Sequence, residues 1–132
     1  MKRRLIGLAM VLVMLLTLSG TAFAFPITIQ KAGGNCSISK SGKSVTYGGY
    51  SDSGQTEDVI SITVQLLEQS NGTWASIAST TNSKNNATYV SASSSKTVSG
   101  DHYYKAKATH YSMKDGVSYS TSSETSPVWI GA

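Results

Sequence analysis

The sequence is short of covalent cross-links, of arginine and of charge. Cys36 is the lone cysteine among 132 residues. That excludes an intramolecular disulfide, the staple on which small exported domains often rely. Cys36 is read either as a small, half-buried apolar residue or as an exposed thiol for pairing with another chain. Nothing nearby marks a reactive thiolate. The two arginines are Arg3 and Arg4, and charged residues make up 14% of the chain. Beyond position 24 the cations are eight scattered lysines set against seven acids, a formal net of +1. Nucleic-acid binding normally needs a basic stripe, usually with arginine, so nucleic acid is excluded as a partner. The basic isoelectric point of about 9.2 owes much to the first four residues.

Catalytic patterns are also missing. There is no Gly-x-Ser-x-Gly, no phosphate-binding glycine loop and no zinc spacing. His102 and His110 are the two histidines. Eight residues of strand span about 26 Å, too far for both to hold one metal. The acids are Asp52, Glu57, Asp58, Glu68, Asp101, Asp115 and Glu124, and no pair is singled out for acid–base work. The chain is therefore expected to be no enzyme and to use no metal or cofactor. The Asn-x-Ser/Thr triplets at Asn35, Asn71 and Asn86 are read as chance matches in a Ser/Thr-rich chain.

Long apolar runs are confined to one place. Met1-Lys2-Arg3-Arg4 is a positive start, Leu5 to Leu18 carries no charge, and Ala22-Phe23-Ala24 puts small residues where signal peptidase needs them. Fourteen uncharged residues are too few for a bilayer core, which takes about 20. Residues 1–24 thus read as a cleavable secretory signal, cut between Ala24 and Phe25. The mature protein is expected to be secreted, extracellular, monomeric and free of the membrane. Residues 25–35, broken by Gly33-Gly34, are expected to form a loose arm, and 36–132 one β-sandwich domain.

Abundance lies in Ser and Thr, 22 and 12 after position 24, with seven Tyr and two Trp. The pattern is of period two, the spacing of half-buried strands. Ser37-Ile38-Ser39 and Ser44 to Tyr47 flank a turn at Ser41-Gly42. A bulge or bend is expected at Gly48-Gly49 and a loop over Ser51 to Gln55. Ile60, Ile62, Val64 and Leu66 alternate with polar residues along the strongest strand, Val59 to Glu68. Asn71-Gly72 is the best hairpin signal, because both residues tolerate positive φ. Trp74 to Thr80 returns from it. Asn82 to Asn86 is expected to be a loop, with short strands at Thr88 to Ser91 and Lys96 to Val98. His102 to Tyr111 should be a second long strand, with Tyr104, Ala106, Ala108 and His110 on one face and Tyr103, Lys105, Lys107 and Thr109 on the other. Lys114-Asp115-Gly116 turns into Val117 to Ser120, and Pro127 to Ile130 closes the chain. Some seven or eight short strands with turns every 8–12 residues predict an all-β, antiparallel two-sheet sandwich.

Gly100-Asp101-His102-Tyr103-Tyr104-Lys105-Ala106 resembles the penultimate strand of immunoglobulin-like and fibronectin type III-like domains, where a Tyr lies two residues before a core position. The larger pattern of signal peptide, Ile60 to Leu66, Asn71-Gly72-Thr73-Trp74 and Gly100 to Lys105 resembles a group of small exported proteins of Gram-positive bacteria whose function is not known. The resemblance implies an immunoglobulin-like sandwich and carries no site residues over. The chain departs from true immunoglobulin domains in lacking their cysteine pair.

The tyrosines are the one functional lead. Tyr103, Lys105, Lys107 and Tyr111 share the outward face of their strand. Such a face either binds sugar or protein at the cell surface, since Tyr is amphipathic and cheap to order, or pairs across strands to stabilise the sheet. The leading expectation is an exported, non-enzymatic binding or surface-associated module. The alternative is a secreted antagonist of bacteriocin or toxin type.

Overall fold

A computed structural model describes Ala32–Ala132. The expected signal peptide, its Ala24–Phe25 cut and most of the expected arm lie outside the described residues. Six strands and no helix make up the rest. They are β1 (Gly33–Ser41), β2 (Ser44–Ser70), β3 (Thr73–Thr97), β4 (His102–Lys114), β5 (Val117–Glu124) and β6 (Val128–Ile130). The last three residues of the expected arm thus belong to β1, where Asn35 faces Tyr50.

All pairings are antiparallel. β2 and β3 form one long ribbon that starts at the expected Asn71-Gly72 turn, where both residues take positive φ, 51° and 76°. The other edge of β2 is shared: Ser44 to Asp52 pairs β1, and Val59 to Glu68 pairs β4. β4 then carries β5 and β6 on its far edge. The result is a strongly curled antiparallel sheet, a half-barrel.

The curl follows from close approach. A Cβ on Gly49 would come within 3.2 Å of Ile62 Cδ1 and also strike Asn35 and Cys36. The early part of β2 therefore lies over its own later part, which only a residue without a side chain allows. Of the bulge or bend expected at Gly48-Gly49 the bulge is absent, since the register runs through both glycines. The register shifts instead between Leu66 and Leu67 and, where a loop was expected, between Asp52 and Glu57. That stretch stays extended because its polar side chains find partners. Ser51 Oγ donates to Ser61 O at 2.9 Å, and the buried Glu57 accepts from Ser53 Oγ at 2.6 Å and Gln55 Nε2 at 3.3 Å.

The expected loop Asn82 to Asn86 is also largely strand, with Asn82 to Asn85 opposite Val59 to Ile62. Two of the expected strands have merged into β2 and three into β3, which leaves six. Asn82 to Asn86 reads as a loop because β3 has an outer edge with no partner among the described residues.

The core lies inside the curl. Ile60, Ile62, Val64 and Leu66 are fully buried, as are Tyr104, Ala106 and Ala108 from β4. Burying each aliphatic side chain contributes roughly 1.5–3 kcal/mol. Ala32, Cys36, Val45, Tyr47, Val90, Ala92, Val98 and Ile130 complete the cluster. Cys36 is buried, with Sγ 3.7 Å from Ala106 O, which agrees with the first of its two readings. Among the described residues no buried side-chain nitrogen or oxygen lacks a hydrogen-bond partner.

Candidate functional site

Two polar constellations stand apart from the apolar core, one inside the curl and one at its rim. The inner one centres on His110, 1% exposed. His110 Nδ1 is 2.9 Å from Ser51 Oγ, and Nε2 is 2.8 Å from Ser123 Oγ. Ser51 has one hydroxyl hydrogen and gives it to Ser61 O. In that arrangement Nδ1–H donates to Ser51, and Nε2 accepts from Ser123. Burial holds the imidazole below its ordinary pKa, against smaller opposing effects from the Asp52 charge and the Tyr50 backbone. The ring is therefore neutral and walled in. β1 seals it, since a Cβ on Gly34 would lie 2.7 Å from its Nδ1. His102 is placed separately, with Nδ1 donating to Gln69 O at 3.0 Å. Among the described residues no group of three or more His, Cys, Asp or Glu is placed to hold a metal ion.

Tyr104 links the core to the rim. Its hydroxyl lies 2.5 Å from Ser99 O and 2.8 Å from Glu68 Oε2, so its one proton is shared between two acceptors. Burial, and then the Glu68 carboxylate, push its pKa above the usual phenol range.

The rim site is built on the opposite face. Successive strand residues point to opposite sides, so burying Tyr104 turns Tyr103 out, 45% exposed. On β6 the same alternation buries Ile130, packs Val128 against the core and turns Trp129 out, 44% exposed. Tyr103 and Trp129 are direct cross-strand partners. Their ring centroids are 4.9 Å apart with planes tilted by 60°. The short β6 is held in place by the Asp101 N–H, which donates to Ile130 O at 2.7 Å, and by Lys40 Nζ, which donates to Trp129 O at 2.6 Å. Beside the ring pair lies a groove of about 370 Å³, walled by Gln69, Asn71, Asp101 and His102. Positive φ at Asn71 and Asp101 (51° and 65°) sets the two turns that form its walls.

Tyr103, Lys105, Lys107 and Tyr111 do share one face of β4, as expected, but they do not converge. Lys105 packs over the Trp74 ring at 4.4 Å and pairs with Glu124 at 3.3 Å, and Lys107 lies 3.8 Å from the same carboxylate. One acid thus takes up much of both charges. Tyr111 is half-buried between Ser61 and Ser120, eight residues or about 26 Å from Tyr103. Only Tyr103 reaches the groove. Sequence reasoning missed Trp129 as its partner, although Val128 and Ile130 on either side were the signal that it must face away from the core.

A second aromatic pair, Tyr50 and Tyr89, stacks at 5.8 Å across β2 and β3.

No protein-family model matches the chain, and no curated protein matches it in sequence. Among solved structures, the sporulation control protein Spo0M from Bacillus subtilis is similar at 14% identity with a TM-score of 0.47, over 79% of this chain and 51% of that one. The chain thus spans about half the length of that neighbour.

Proposed function

We propose that this is an exported, non-enzymatic binding module that acts outside the cell through the Tyr103–Trp129 rim. The observation that carries the reading is two large aromatic rings held out of the core, directly opposite each other, on the edge of a walled groove. Exposed aromatic anchors beside a few fixed polar groups are what binding sites are made of. The partner belongs to the cell surface and is a protein or a carbohydrate. The molecule works as a monomer: Lys84 and Lys96 on the outer-edge strand β3 discourage edge-to-edge pairing.

The non-enzymatic reading is supported by the state of His110. Its Nδ1 donates toward Ser51, so it cannot take that serine's proton, and β1 covers the ring. We further propose that the curled sheet is an immunoglobulin-like sandwich, in which the β2–β3 ribbon passes from one layer to the other. Support comes from the Tyr104 hydroxyl at Ser99 O, five residues upstream, the bond such domains make near their penultimate strand. The likeness to small exported proteins of Gram-positive bacteria belongs to the same reading.

Export is tested first. Protein recovered from culture medium should begin Phe25-Pro26-Ile27 on N-terminal sequencing. A secreted form that keeps the apolar run Leu5 to Leu18 would overturn the cleavage, and retention in the cytoplasm would overturn the whole proposal.

A further inference from the structure

We infer that the Tyr103–Trp129 groove takes a neutral carbohydrate, an inference that rests on the binding-module reading above and narrows it. Sugar rings carry apolar C–H faces and a rim of hydroxyls, so a site for them needs an exposed aromatic face and fixed polar partners beside it. Both are present. The Tyr103 and Trp129 rings meet at 60° and leave an angled apolar step instead of a flat stack. Asn71, Gln69 and Asp101 line the groove beside it, and amides and a carboxylate between them can donate to and accept from hydroxyls. The volume, about 370 Å³, lies at the small end of the ligand-pocket range of ~300–1,000 Å³.

Charge selects among ligands. The groove lining contains Asp101 and no lysine or arginine. Lys40, the cation bonded to this region, has its ammonium on the Trp129 carbonyl. An anionic polymer would meet the Asp101 carboxylate in the lining itself, whereas a neutral polyol meets only hydrogen-bonding groups. The second exposed aromatic pair shows what the rim has beyond rings. Tyr50 and Tyr89 are nearly parallel, at 22°, and stack on each other, so their inner faces are already used.

The test combines two measurements on the secreted protein. Affinities for chitotetraose and cellotetraose as neutral probes, and for hyaluronan fragments as the anionic one, are measured by isothermal titration calorimetry. Co-sedimentation with purified bacterial cell walls is run in parallel, in low salt, in 1 M salt and after protease treatment of the walls. A neutral probe should bind with measurable heat, and its affinity should survive 1 M salt. Trp129→Ala and Tyr103→Ala should each weaken binding by at least about ten-fold, whereas Tyr103→Phe, which keeps the ring, should stay within about three-fold. Thermal melts of the variants check that they remain folded, and both side chains lie outside the core. Wall binding that resists salt and protease and is lost in Trp129→Ala supports the inference. Wall binding abolished by salt or protease, with no response to either neutral probe, overturns the carbohydrate and leaves the binding module standing. Absence of binding in both measurements overturns both. Equal affinity in wild type and Trp129→Ala removes the groove as the site.

Discussion

Tyr103 and Tyr104 are neighbours in sequence with opposite fates, and the two faces of β4 differ as they do. The inner face carries Tyr104, Ala106, Ala108 and His110, none more than 1% exposed. Every polar atom there is answered: the Tyr104 hydroxyl by Ser99 and Glu68, the His110 nitrogens by Ser51 and Ser123. The outer face carries Tyr103, Lys105, Lys107, Thr109 and Tyr111, and its interactions are ring contacts and ion pairs in reach of water. Inside, an unpaired group would cost the full desolvation of that group. Outside, water replaces whatever is removed. Identical side chains therefore contribute stability on one face and stay in reach of solvent on the other.

The sharpest way to break this comparison is on β2, which alternates in the same manner. Ile62 is fully buried and packs against Gly49, whereas Thr63 is half-buried and shares a hydroxyl bond with Thr81 at 3.0 Å. Ile62→Ala should cost ~2–5 kcal/mol by leaving a cavity. Thr63→Ala should cost about 0.5 kcal/mol, the size of one exposed cross-strand pair. Urea unfolding midpoints measure both, and equal losses would show that the two faces are not distinct.

How far the sequence could be read depended on the same distinction. Where a strand separates core from solvent, alternation reveals it, so Val59 to Glu68 and His102 to Tyr111 were both legible with the correct inward residues. The Asn71-Gly72 and Asp115-Gly116 turns were legible because positive φ demands particular residues. Thr73–Thr97 was not legible as one strand. It lies on the sheet's outer edge, many of its side chains are exposed, and Ser, Asn and Lys are acceptable on such an edge. The Gly48-Gly49 pair was legible as special but not in its cause, because close packing against Ile62 depends on a strand folding over itself. The groove escaped for a related reason. Tyr103 was visible as an outward residue, but its pairing with Trp129 is fixed by a tertiary register between residues 26 apart in the chain.

A smaller effect is expected at Tyr104. Tyr104→Phe keeps the ring and removes the hydroxyl, leaving Ser99 O and Glu68 each short of a partner. One net hydrogen bond is worth ~0.5–1.5 kcal/mol, rising to about 3 if a buried acceptor is orphaned. A cost below about 0.5 kcal/mol in urea melts would detach the Tyr104 hydroxyl from the stability of the inner face.

His110 turns the comparison into a pH effect. Its folded pKa is lowered from 6.5, so below that value the unfolded chain binds the proton more readily than the folded one. Stability contributed by neutral His110 is present above about pH 6.5 and is lost as the solution is acidified beneath it. Urea midpoints measured from pH 8 to pH 5 should fall on the acid side, and His110→Gln should flatten that slope whatever its absolute stability. An unchanged slope in the variant would mean that the inner face does not hold the histidine neutral.

The smallest effect is expected at Tyr103. Its ring lies against Trp129 and is 45% exposed, and no hydrogen bond from its hydroxyl closes the inner network. Tyr103→Phe removes one oxygen that water already reaches, so stability should change by less than about 0.5 kcal/mol. Set beside Tyr104→Phe, this substitution applies the same chemical change one residue away and differs only in the face it touches. If Tyr103→Phe proves the more costly of the two, the outer face is holding the fold together. Tyr103 and Trp129 would then be structural partners, and the groove beside them would lose its claim to a ligand. If Tyr104→Phe is the more costly, the Tyr103 ring pair is free to be altered without unfolding the protein, as a binding surface must be.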